Sequence, residues 1–329
     1  MKKNNRNSKI SLAAGSGGKE MNSLIKEIQK SLENNSTCWK NKDKDSATFS
    51  LGNQHLVFTT DSFTVQPLFF PGGNIGDLAF CGTVNDLSVM GADPIGISLS
   101  LVIEEGFSKE KLFKITKTVG KLSKKHKIPI VTGDTKVMNK GSIDKLVINT
   151  SGVGLAKNVL NKTLSVGDRV IISGSLGDHG AALLAKRFDF ETNLKTDSEA
   201  LYSLMKEVRA DIKQAKDITR GGLASITNEL VEQNNLGMLI DEEKIPIKKS
   251  AKTITNLLGI DVLSLACEGR IILICPKQAA NKVLLKMKKF NKKAAIIGEI
   301  IKGSNVIVQT VFGKKILFTP TGNIVPRIC

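Results

Sequence analysis

A strand, a glycine-rich turn and a helix follow one another at two places in this chain, and this pattern constrains the fold more than any other feature. In the first half, a predicted strand over residues 55–60 precedes the turn 71–76 and a helix over 76–90. The pattern restarts after residues 157–168, where the same three features follow at 169–173, 174–180 and 181–187. Strands and helices that alternate in two blocks predict two packed α/β or α+β domains.

Apolar periodicity predicts the remaining elements. Helical spacing occurs over 21–32, 109–125, 199–210 and 278–288, and strand-like runs occur over 95–103, 128–132, 146–155, 271–274, 294–301 and 306–311. We expect the run 128–132 to be a short buried strand that leads into Gly133, Asp134 and Thr135. The predicted segments are a disordered basic tail (1–9), an N-terminal domain (10–160), a C-terminal α+β domain (161–318) and a final tail (319–329).

The net charge of +17, from 48 basic and 31 acidic residues, would suit a non-enzymatic module that binds nucleic acid. However, the basic residues are 41 Lys and only 7 Arg, and aromatic residues make up 5% of the chain. Arg guanidinium groups bind phosphates through two hydrogen bonds, and aromatic rings stack on bases. We therefore expect no nucleic-acid partner, and a basic binding module remains an alternative.

The cysteine pattern favours a reducing compartment. The cysteines are Cys38, Cys81, Cys267, Cys275 and Cys329, an odd number with no C-x-x-C spacing. This pattern predicts neither a disulfide framework nor a zinc site. The sequence has no run of 18 uncharged apolar residues and no apolar signal-peptide core, so we expect a cytoplasmic protein without a membrane span.

Two glycine-rich loops are candidates for phosphate binding. Gly17, Gly18 and Lys19 belong to the run GSGGK before a helix, where backbone N–H groups and a helix N-terminus can meet an anion. Arg220 precedes two glycines in DITRGG, a pattern typical of a phosphate clamp, and Asp217 opens the same segment. Each has an ordinary alternative: a flexible turn for the first loop and a helix cap for the second.

Polar side chains near apolar segments suggest a magnesium site. Asp61 follows a predicted strand, Asn85 and Asp86 lie in the helix after the first glycine turn, and Asp134 follows a predicted buried strand. Oxygen ligands of this kind suit Mg²⁺, which bridges nucleotide phosphates. Taken singly, each residue is more often a cap or turn residue. The hypothesis therefore depends on their meeting in the folded chain.

Cys329 is the last residue of the sequence. A thiol on a mobile end can travel between sites, and its thiolate would be a nucleophile. The neighbouring α-carboxylate disfavours the thiolate, so a partner base or cation would have to activate it. On these grounds alone, an accidental terminal cysteine is the simpler interpretation.

The order of the motifs along the chain is far more specific than any one of them. The motifs are TTDSFTVQPLFFPGGNIGDLAFCGTVNDLSVMGADP (59–94), VTGDTKVM (131–138), GSLGDHGAALLA (174–185), DITRGGLASITNEL (217–230), LACEGR (265–270) and the terminal PRIC. In this order they resemble the HypE family of hydrogenase-maturation carbamoyl dehydratases, from about residue 10 to residue 329. That family belongs to the aminoimidazole ribonucleotide synthetase-like superfamily, and the terminal PRIC separates it from its relatives.

The resemblance implies a fold and a reaction. An N-terminal α/β domain would contribute strands to a β-barrel that spans a homodimer, an α+β domain would follow, and the final tail would be mobile. ATP and Mg²⁺ would bind between the domains. A HypF-type carbamoyltransferase would load Cys329, and the enzyme would use ATP to dehydrate the S-carboxamide to an S-cyanate. A HypC–HypD-type iron scaffold complex would receive the cyano group, which becomes a cyanide ligand of the [NiFe]-hydrogenase site.

The resemblance also implies roles for individual residues. The groups that would hold Mg²⁺ are Asp61, Asp86 and Asp134. The nucleotide and its phosphates would meet these three together with Gly17, Gly18, Lys19, Asn85, Gly133, Thr135, Asp217 and Arg220. Cys329 would carry the substrate, and either Lys136 or Glu268 would act as the base.

Two positions depart from the family pattern, and one alternative reaction keeps the fold. Ala14 stands where the glycine loop often has His, so any role of that imidazole is absent or taken over elsewhere. Lys216 stands where Arg is common, which keeps the charge but loses bidentate geometry. A purine-pathway cyclo-ligase or a selenophosphate synthetase would share the fold. The latter would need a reactive chalcogen in the loop 13–19, which contains no Cys.

Overall fold

The computed structural model describes residues 9–32, 38–322, 325 and 327–329, which form two large β-sheets with helices packed on them. The basic tail predicted for residues 1–9 lies outside the described residues, apart from Lys9. The helices are α1 (Lys19–Ser31), α2 (Ile75–Val89), α3 (Lys109–His126), α4 (Asp178–Arg187), α5 (Tyr202–Val208), α6 (Gly222–Asn234), α7 (Lys249–Leu258) and α8 (Ala280–Phe290). The strands of the first half are β1 (Trp39–Lys40), β2 (Ala47–Leu51), β3 (Gln54–Phe63), β4 (Phe69–Phe70), β5 (Gly73–Asn74), β6 (Asp93–Glu104), β7 (Ile130–Met138) and β8 (Leu146–Ala156). Those of the second half are β9 (Arg169–Ile172), β10 (Gln214–Asp217), β11 (Gly237–Asp241), β12 (Ile271–Cys275), β13 (Ala295–Ile301), β14 (Val306–Thr310) and β15 (Gly313–Ile316).

The first sheet has the strand order β1-β2-β3-β8-β6-β7. Its neighbours pair antiparallel except for β6 and β7, which are parallel. Along β8 every second residue from Leu146 to Ala156 is buried, as expected for a strand with one face on a core. That face packs against α2, whereas the opposite face carries polar residues such as Asn149 and Ser151.

The second sheet has the order β10-β12-β9-β13-β11-β14-β15 and helices on both faces. All five residues of β12 are buried. Ile272 and Ile274 point into the core that contains α6, and Ile271 and Leu273 point into the core that contains α5 and α8. A strand that is covered on both sides reads as a continuous apolar run, which explains the sequence IILIC.

Helix α2 lies between the two sheets and belongs to both. It contacts β3 and β8 of the first sheet and β10 and α5 of the second half. Of its 15 residues, 13 are buried, which fits a helix that is apolar around its whole circumference. Asn74 caps its first turn: the Asn74 side chain accepts a hydrogen bond from Gly76 N at 2.9 Å, and Asp77 Oδ2 accepts one from Asn74 N at 2.8 Å. These two hydrogen bonds fix the start of α2 at residue 74.

Several predicted elements need correction. The strand predicted to be short and buried over 128–132 is β7, which runs for nine residues and is exposed at every position after Ile130. The reason is that β7 pairs with β6 alone and forms the edge of the sheet as described. Strand β3 continues to Phe63, so Asp61 lies within it, and the helix predicted over 199–210 is shorter, Tyr202–Val208. Among the described residues the first sheet is open, and a barrel that spans two copies stays a prediction.

The final tail was predicted to be mobile, but its described residues are docked in this structure. Val325 and Ile328 are buried in a core cluster that also contains Leu78 from the first half and Leu265 from the second. The predicted division at residues 160–161 falls between β8 and β9 and stays a prediction. Within the described parts of the chain, no helix is long and apolar enough to cross a membrane.

The core around α2 yields a stability prediction. Phe80 is fully buried, with Val84, Ile97 and Val119 in the same cluster, whereas Phe113 is 64% exposed on α3. Replacing Phe80 with Ala should cost about 3–5 kcal/mol, because it removes buried apolar surface and leaves a cavity. The matched change Phe113→Ala should cost under about 0.5 kcal/mol. Urea denaturation followed by circular dichroism measures both, and equal midpoints for the two variants would contradict the assigned core.

Candidate active site

Three aspartates from different elements meet between the sheets: Asp61 on β3, Asp86 on α2 and Asp217 on β10. Asp61 is hydrogen-bonded to Asp86, and the Thr59 hydroxyl donates to Asp86 Oδ2 at 2.7 Å. Burial raises the pKa of all three carboxyls. The charge of Asp61 raises the pKa of Asp86 and of Asp217 further. The three carboxyls therefore resist ionising together unless positive charge is brought to them, which is the electrostatic setting of a cation site.

A buried ion-pair network lies next to this cluster. Lys216 Nζ lies 3.0 Å from Asp45 Oδ1 and 3.1 Å from Glu229 Oε2. Burial alone lowers the pKa of Lys216, but the two carboxylates outweigh burial and the pKa is raised. Asp45 Oδ2 is buried and has no hydrogen-bond partner among the described residues. The lysine at the position where Arg is common thus joins the loop before β2 to β10 and α6, and it leaves one carboxylate oxygen available.

The two glycine-rich loops predicted to bind phosphate contact each other. Ser225 Oγ donates to the carbonyl oxygen of Gly17 at 2.7 Å, and Arg220 Nη1 donates to Gly15 O at 3.5 Å. A Cβ at Gly17 would lie 2.5 Å from the Arg220 backbone, and its φ of +79° is a conformation that favours glycine. Lys19 is exposed at the start of α1. The two loops, whose bonded residues are 205 and 208 positions apart in sequence, therefore meet beside Asp61, and we call the space around these groups the cleft.

Cys329 is a half-buried residue, and its thiol lies beside Arg220 and is hydrogen-bonded to the Glu268 side chain. A terminal carboxylate oxygen of Cys329 accepts a hydrogen bond from Thr64 N at 3.2 Å, which fixes this end of the chain. Burial raises the pKa of the Cys329 thiol, Glu268 raises it further, and Arg220 opposes both.

Glu268 itself is 3% exposed, and burial raises its pKa well above the ordinary value. The charges of Asp217 and Asp197 act in the same direction, and Arg220 opposes them. Its Oε1 is buried and has no hydrogen-bond partner among the described residues. The thiol and the carboxyl thus share a hydrogen bond, which is an arrangement that can move a proton when either group reacts.

Asn85, predicted to meet the nucleotide, is engaged with the backbone of the second half. Its Oδ1 accepts a hydrogen bond from Leu201 N at 2.8 Å, and its Nδ2 donates to Glu199 O at 3.1 Å. Both ends of the buried amide are therefore used to hold the segment before α5 against α2. These bonds give Asn85 a packing role, and its predicted contact with a nucleotide stays a prediction.

The segment Gly133–Lys136 does not reach the aspartate cluster of its own chain. It lies on the edge strand β7, where Asp134 Oδ2 is 3.4 Å from Lys136 Nζ and the two side chains are 58% and 70% exposed. Three strand spacings of about 4.8 Å separate β7 from β3, so Asp134 lies roughly 14 Å from Asp61 across the sheet. Asp134 pairs with Ser100, in register with Asn149 on the polar face of the sheet, opposite α2. Its own chain therefore cannot bring Asp134 to Asp86.

The carboxylates fit a hard divalent cation that is shared with a ligand. In the described part of the chain, no three His, Cys, Asp or Glu side chains are arranged to hold a metal ion by themselves. Mg²⁺ usually takes one or two carboxylates and completes its shell with phosphate oxygens and water. Asp61 and Asp86, together with the unpaired Asp45 Oδ2, supply oxygens of that kind.

Three residues near the cleft were missed by the sequence analysis. Asp45 belongs to none of the quoted motifs, and neither does Asp197, whose Oδ1 accepts a hydrogen bond from Glu268 N at 2.8 Å. His179 is fully buried, and its Nε2 lies 2.8 Å from the carbonyl oxygen of Ile328. His179 alone carried a signal, because it lies within GDHG between glycines.

Family models match both halves of the chain. The N-terminal domain model of the AIR synthase related proteins matches residues 43–156, and the C-terminal domain model matches residues 165–311. The chain is 43% identical to a putative hydrogenase expression/formation protein of Methanocaldococcus jannaschii, over 98% of this chain and 100% of that protein. It is 37% identical to carbamoyl dehydratase HypE of Escherichia coli K12, over 97% and 99% of the two chains.

Solved structures are similar over almost the same length. A HypE–HypF complex contains a chain with a TM-score of 0.84 and 39% identity, covering 91% of this chain and 100% of that one. A HypE in complex with ATP has a TM-score of 0.81 and 34% identity, with 98% and 100% coverage. The thiamine monophosphate kinase of Aquifex aeolicus, at 20% identity and a TM-score of 0.67, with 87% and 96% coverage, shares the fold. The chain therefore belongs to the HypE family of hydrogenase-maturation carbamoyl dehydratases, within the AIR synthase related superfamily.

Proposed function

We propose that this protein uses ATP to dehydrate an S-carboxamide on Cys329 to an S-cyanate, which supplies cyanide ligands for [NiFe]-hydrogenase maturation. The observation that carries the proposal is the position of the Cys329 thiol, which is hydrogen-bonded to Glu268 and lies beside Arg220. A terminal cysteine held at a cluster of acidic groups is not explained by packing alone. The membership of the family and the ATP complex of a relative support the same reaction.

The chemistry needs one phosphoryl transfer and the loss of two protons. The amide oxygen attacks the γ-phosphoryl group of ATP, the P–O bond to ADP breaks, and the amide nitrogen loses one proton. The resulting imidoyl phosphate then loses phosphate and the second N–H proton, which leaves a C≡N bond on sulfur. Such a transfer depends on positioning and charge neutralisation more than on covalent help.

Glu268 is the proposed base, since it is the carboxyl that touches the sulfur-bearing residue. Its raised pKa makes it a better proton acceptor than an ordinary carboxylate once it is ionised. Arg220 lies beside the same thiol and would balance negative charge on the departing phosphate. Lys136, the other candidate, lies on the exposed edge strand of its own chain.

The proposed nucleotide site combines the remaining residues. Gly17 and Gly18 would bring backbone N–H groups to the phosphates, and Lys19 lies exposed at the same helix end. Asp61, Asp86 and Asp217 would hold Mg²⁺ with the phosphates. Bound there, Mg²⁺ would neutralise charge on the transferring phosphoryl group.

A homodimer would complete the site. Strand β7 presents an unpaired edge and the apolar side chains of Val131 and Val137, which are 60% and 68% exposed. An exposed edge of this kind is usually covered in the native assembly. We propose that β7 packs on a second copy in a barrel, so that Asp134 and Lys136 reach the partner's cleft.

Two further partners follow from the reaction. The carbamoyl group would come from a HypF-type carbamoyltransferase, as the HypE–HypF complex of a relative supports. Because the thiol is bonded to Glu268 when the tail is docked, the tail would have to leave the cleft for loading. An iron scaffold complex of HypC–HypD type would then accept the cyano group.

Replacing Cys329 with Ser tests the carrier role. The variant should bind ATP as the unchanged protein does, but intact-mass spectrometry after incubation with carbamoyltransferase, carbamoyl phosphate and ATP should show no carbamoyl adduct. The matched change Cys38→Ser, at an exposed cysteine, should leave the adduct unchanged. Activity on a formylglycinamidine substrate without the tail, or salt-sensitive DNA retention without ATP binding, would support the alternative functions instead.

Replacing Glu268 with Gln tests the base. The change keeps the shape of the side chain but removes the proton acceptor, so dehydration of the carbamoylated protein should slow by about 10²–10⁴-fold. ATP affinity, measured by calorimetry, should change little, because the substitution affects the Cys329 end of the cleft and not the proposed phosphate site. An unchanged rate of water loss in the intact-mass assay would remove Glu268 from the mechanism.

Mixing two inactive variants tests the dimer. Asp86→Asn and Asp134→Asn should each impair Mg-dependent ATP turnover, because each removes a carboxylate from the proposed phosphate site. If the site is shared, their heterodimer contains one intact cleft, and an equal mixture should recover about a quarter of the normal activity. The control mixture, Asp86→Asn with Asp217→Asn, should recover none, since both residues belong to the same chain's cleft. Heterodimers seen by native mass spectrometry without recovery would contradict the shared site.

A further inference from the structure

Helix α4 holds two consecutive backbone carbonyls of the docked tail. His179 Nε2 lies 2.8 Å from the carbonyl oxygen of Ile328, and Arg187 Nη2 lies 2.6 Å from that of Arg327. Arg187 Nε also donates to Gln66 O at 2.6 Å, in the segment that pairs with the tail. A carbonyl oxygen only accepts, so both side chains donate. Neither contact depends on the identity of a tail side chain.

The protonation state of His179 follows from its partners. Because Nε2 donates to Ile328, the neutral ring carries its proton there, and Nδ1 accepts from the Thr196 hydroxyl at 2.8 Å. The Thr196 oxygen in turn accepts from Ser198 N at 3.1 Å. Burial lowers the pKa of His179, which keeps the ring in this neutral form. A fully buried imidazole is therefore oriented by one loop toward one tail carbonyl.

The same loop also orients the proposed base. Asp197, which follows Thr196, accepts a hydrogen bond from Glu268 N at 2.8 Å, and Glu199 N donates to Glu268 O at 3.3 Å. The tail and Glu268 are thus held by a single segment, through His179 on one side and Asp197 on the other. A shift of the tail relative to this segment would move the Cys329 sulfur away from the carboxyl.

We propose that His179 and Arg187 are positioning residues: they clasp the tail backbone so that the group on Cys329 lies against Glu268. The role in chemistry rests on the proposed dehydration, but the clasp itself is a property of the docked tail. Helix α4 also lies close to the tail, since a Cβ at Gly180 would come within 3.2 Å of the Ile328 Cδ1 atom. Arg327 reinforces the docked state from the other side, through Thr64 O at 2.8 Å and an ion pair with Asp144.

Alkylation of cysteines tests the clasp without any turnover. The full-length protein is treated with iodoacetamide, and peptide mass spectrometry follows each cysteine. Labelling of the exposed Cys38 shows that the reagent is active, and labelling of the buried Cys267 would show that the protein has unfolded. In the Arg187→Gln variant, iodoacetamide should label Cys329 about three to ten times faster than in the unchanged protein, because the docked state loses one hydrogen bond to the tail. The adjacent change Lys186→Gln removes the same charge from an exposed side chain and should have no effect.

His179 variants and the dehydration rate complete the test. His179→Phe keeps a ring but cannot donate, so Cys329 should again label faster, whereas His179→Gln can still donate and should restore protection. On carbamoylated protein, Arg187→Gln and His179→Phe should lower kcat for dehydration and leave KM for ATP unchanged. If Cys267 becomes labelled in His179→Phe, that variant has unfolded, and the result for Arg187→Gln alone then tests the clasp. Unchanged Cys329 labelling overturns the clasp, and faster labelling with an unchanged kcat overturns the positioning role. If Cys329 is protected in the protein without substitutions but its carbamoyl group is never dehydrated, the proposed function is wrong and the clasp is still supported.

Discussion

Burial of helix α2 on all sides is the constraint on which the rest of the structure depends. The helix packs on β3 and β8 in one direction and on β10 and α5 in the other, so the two sheets share it as a common core element. Polar groups on such a helix cost free energy unless they are paired. Asn85 is paired with the backbone of the second half, and Asp86 ends among other acids. These adjacent residues mark where packing gives way to the cleft.

The cleft combines acidic groups with a thiol that burial keeps neutral. Burial raises the pKa of Asp86, Glu268 and Cys329, and Arg220 opposes it at Glu268 and at Cys329. Such a site is unfavourable by itself and becomes favourable when a cation or a ligand adds positive charge and hydrogen-bond donors. The docked tail completes the cleft, since its terminal carboxylate accepts a hydrogen bond from Thr64 N and its thiol is hydrogen-bonded to Glu268.

Local signals predicted the helices around the cleft well, and the sheet edges poorly. Helices α2 and α3 begin and end within one residue of the predicted bounds, because Asn74 and Ser108 cap them and an apolar pattern fills them. Strand β7 was wrongly predicted to be short and buried, because an apolar run does not show whether a strand has one neighbour or two. For Asn85 the sequence predicted a nucleotide contact but gave no sign of its two bonds to the backbone near Leu201, a partner 116 positions away.

The sequence by itself determined the family, the two glycine-rich loops and the terminal cysteine, because those are properties of residue order. Only the tertiary structure decided which residues meet. It joined Asp61, Asp86 and Asp217 from three elements, and it left Asp134 on an exposed edge. It also placed a buried histidine against the tail backbone, which no residue pattern encodes. The physical reason is that strand pairing and helix burial set distances between residues far apart in the chain, and local periodicity contains no information about them.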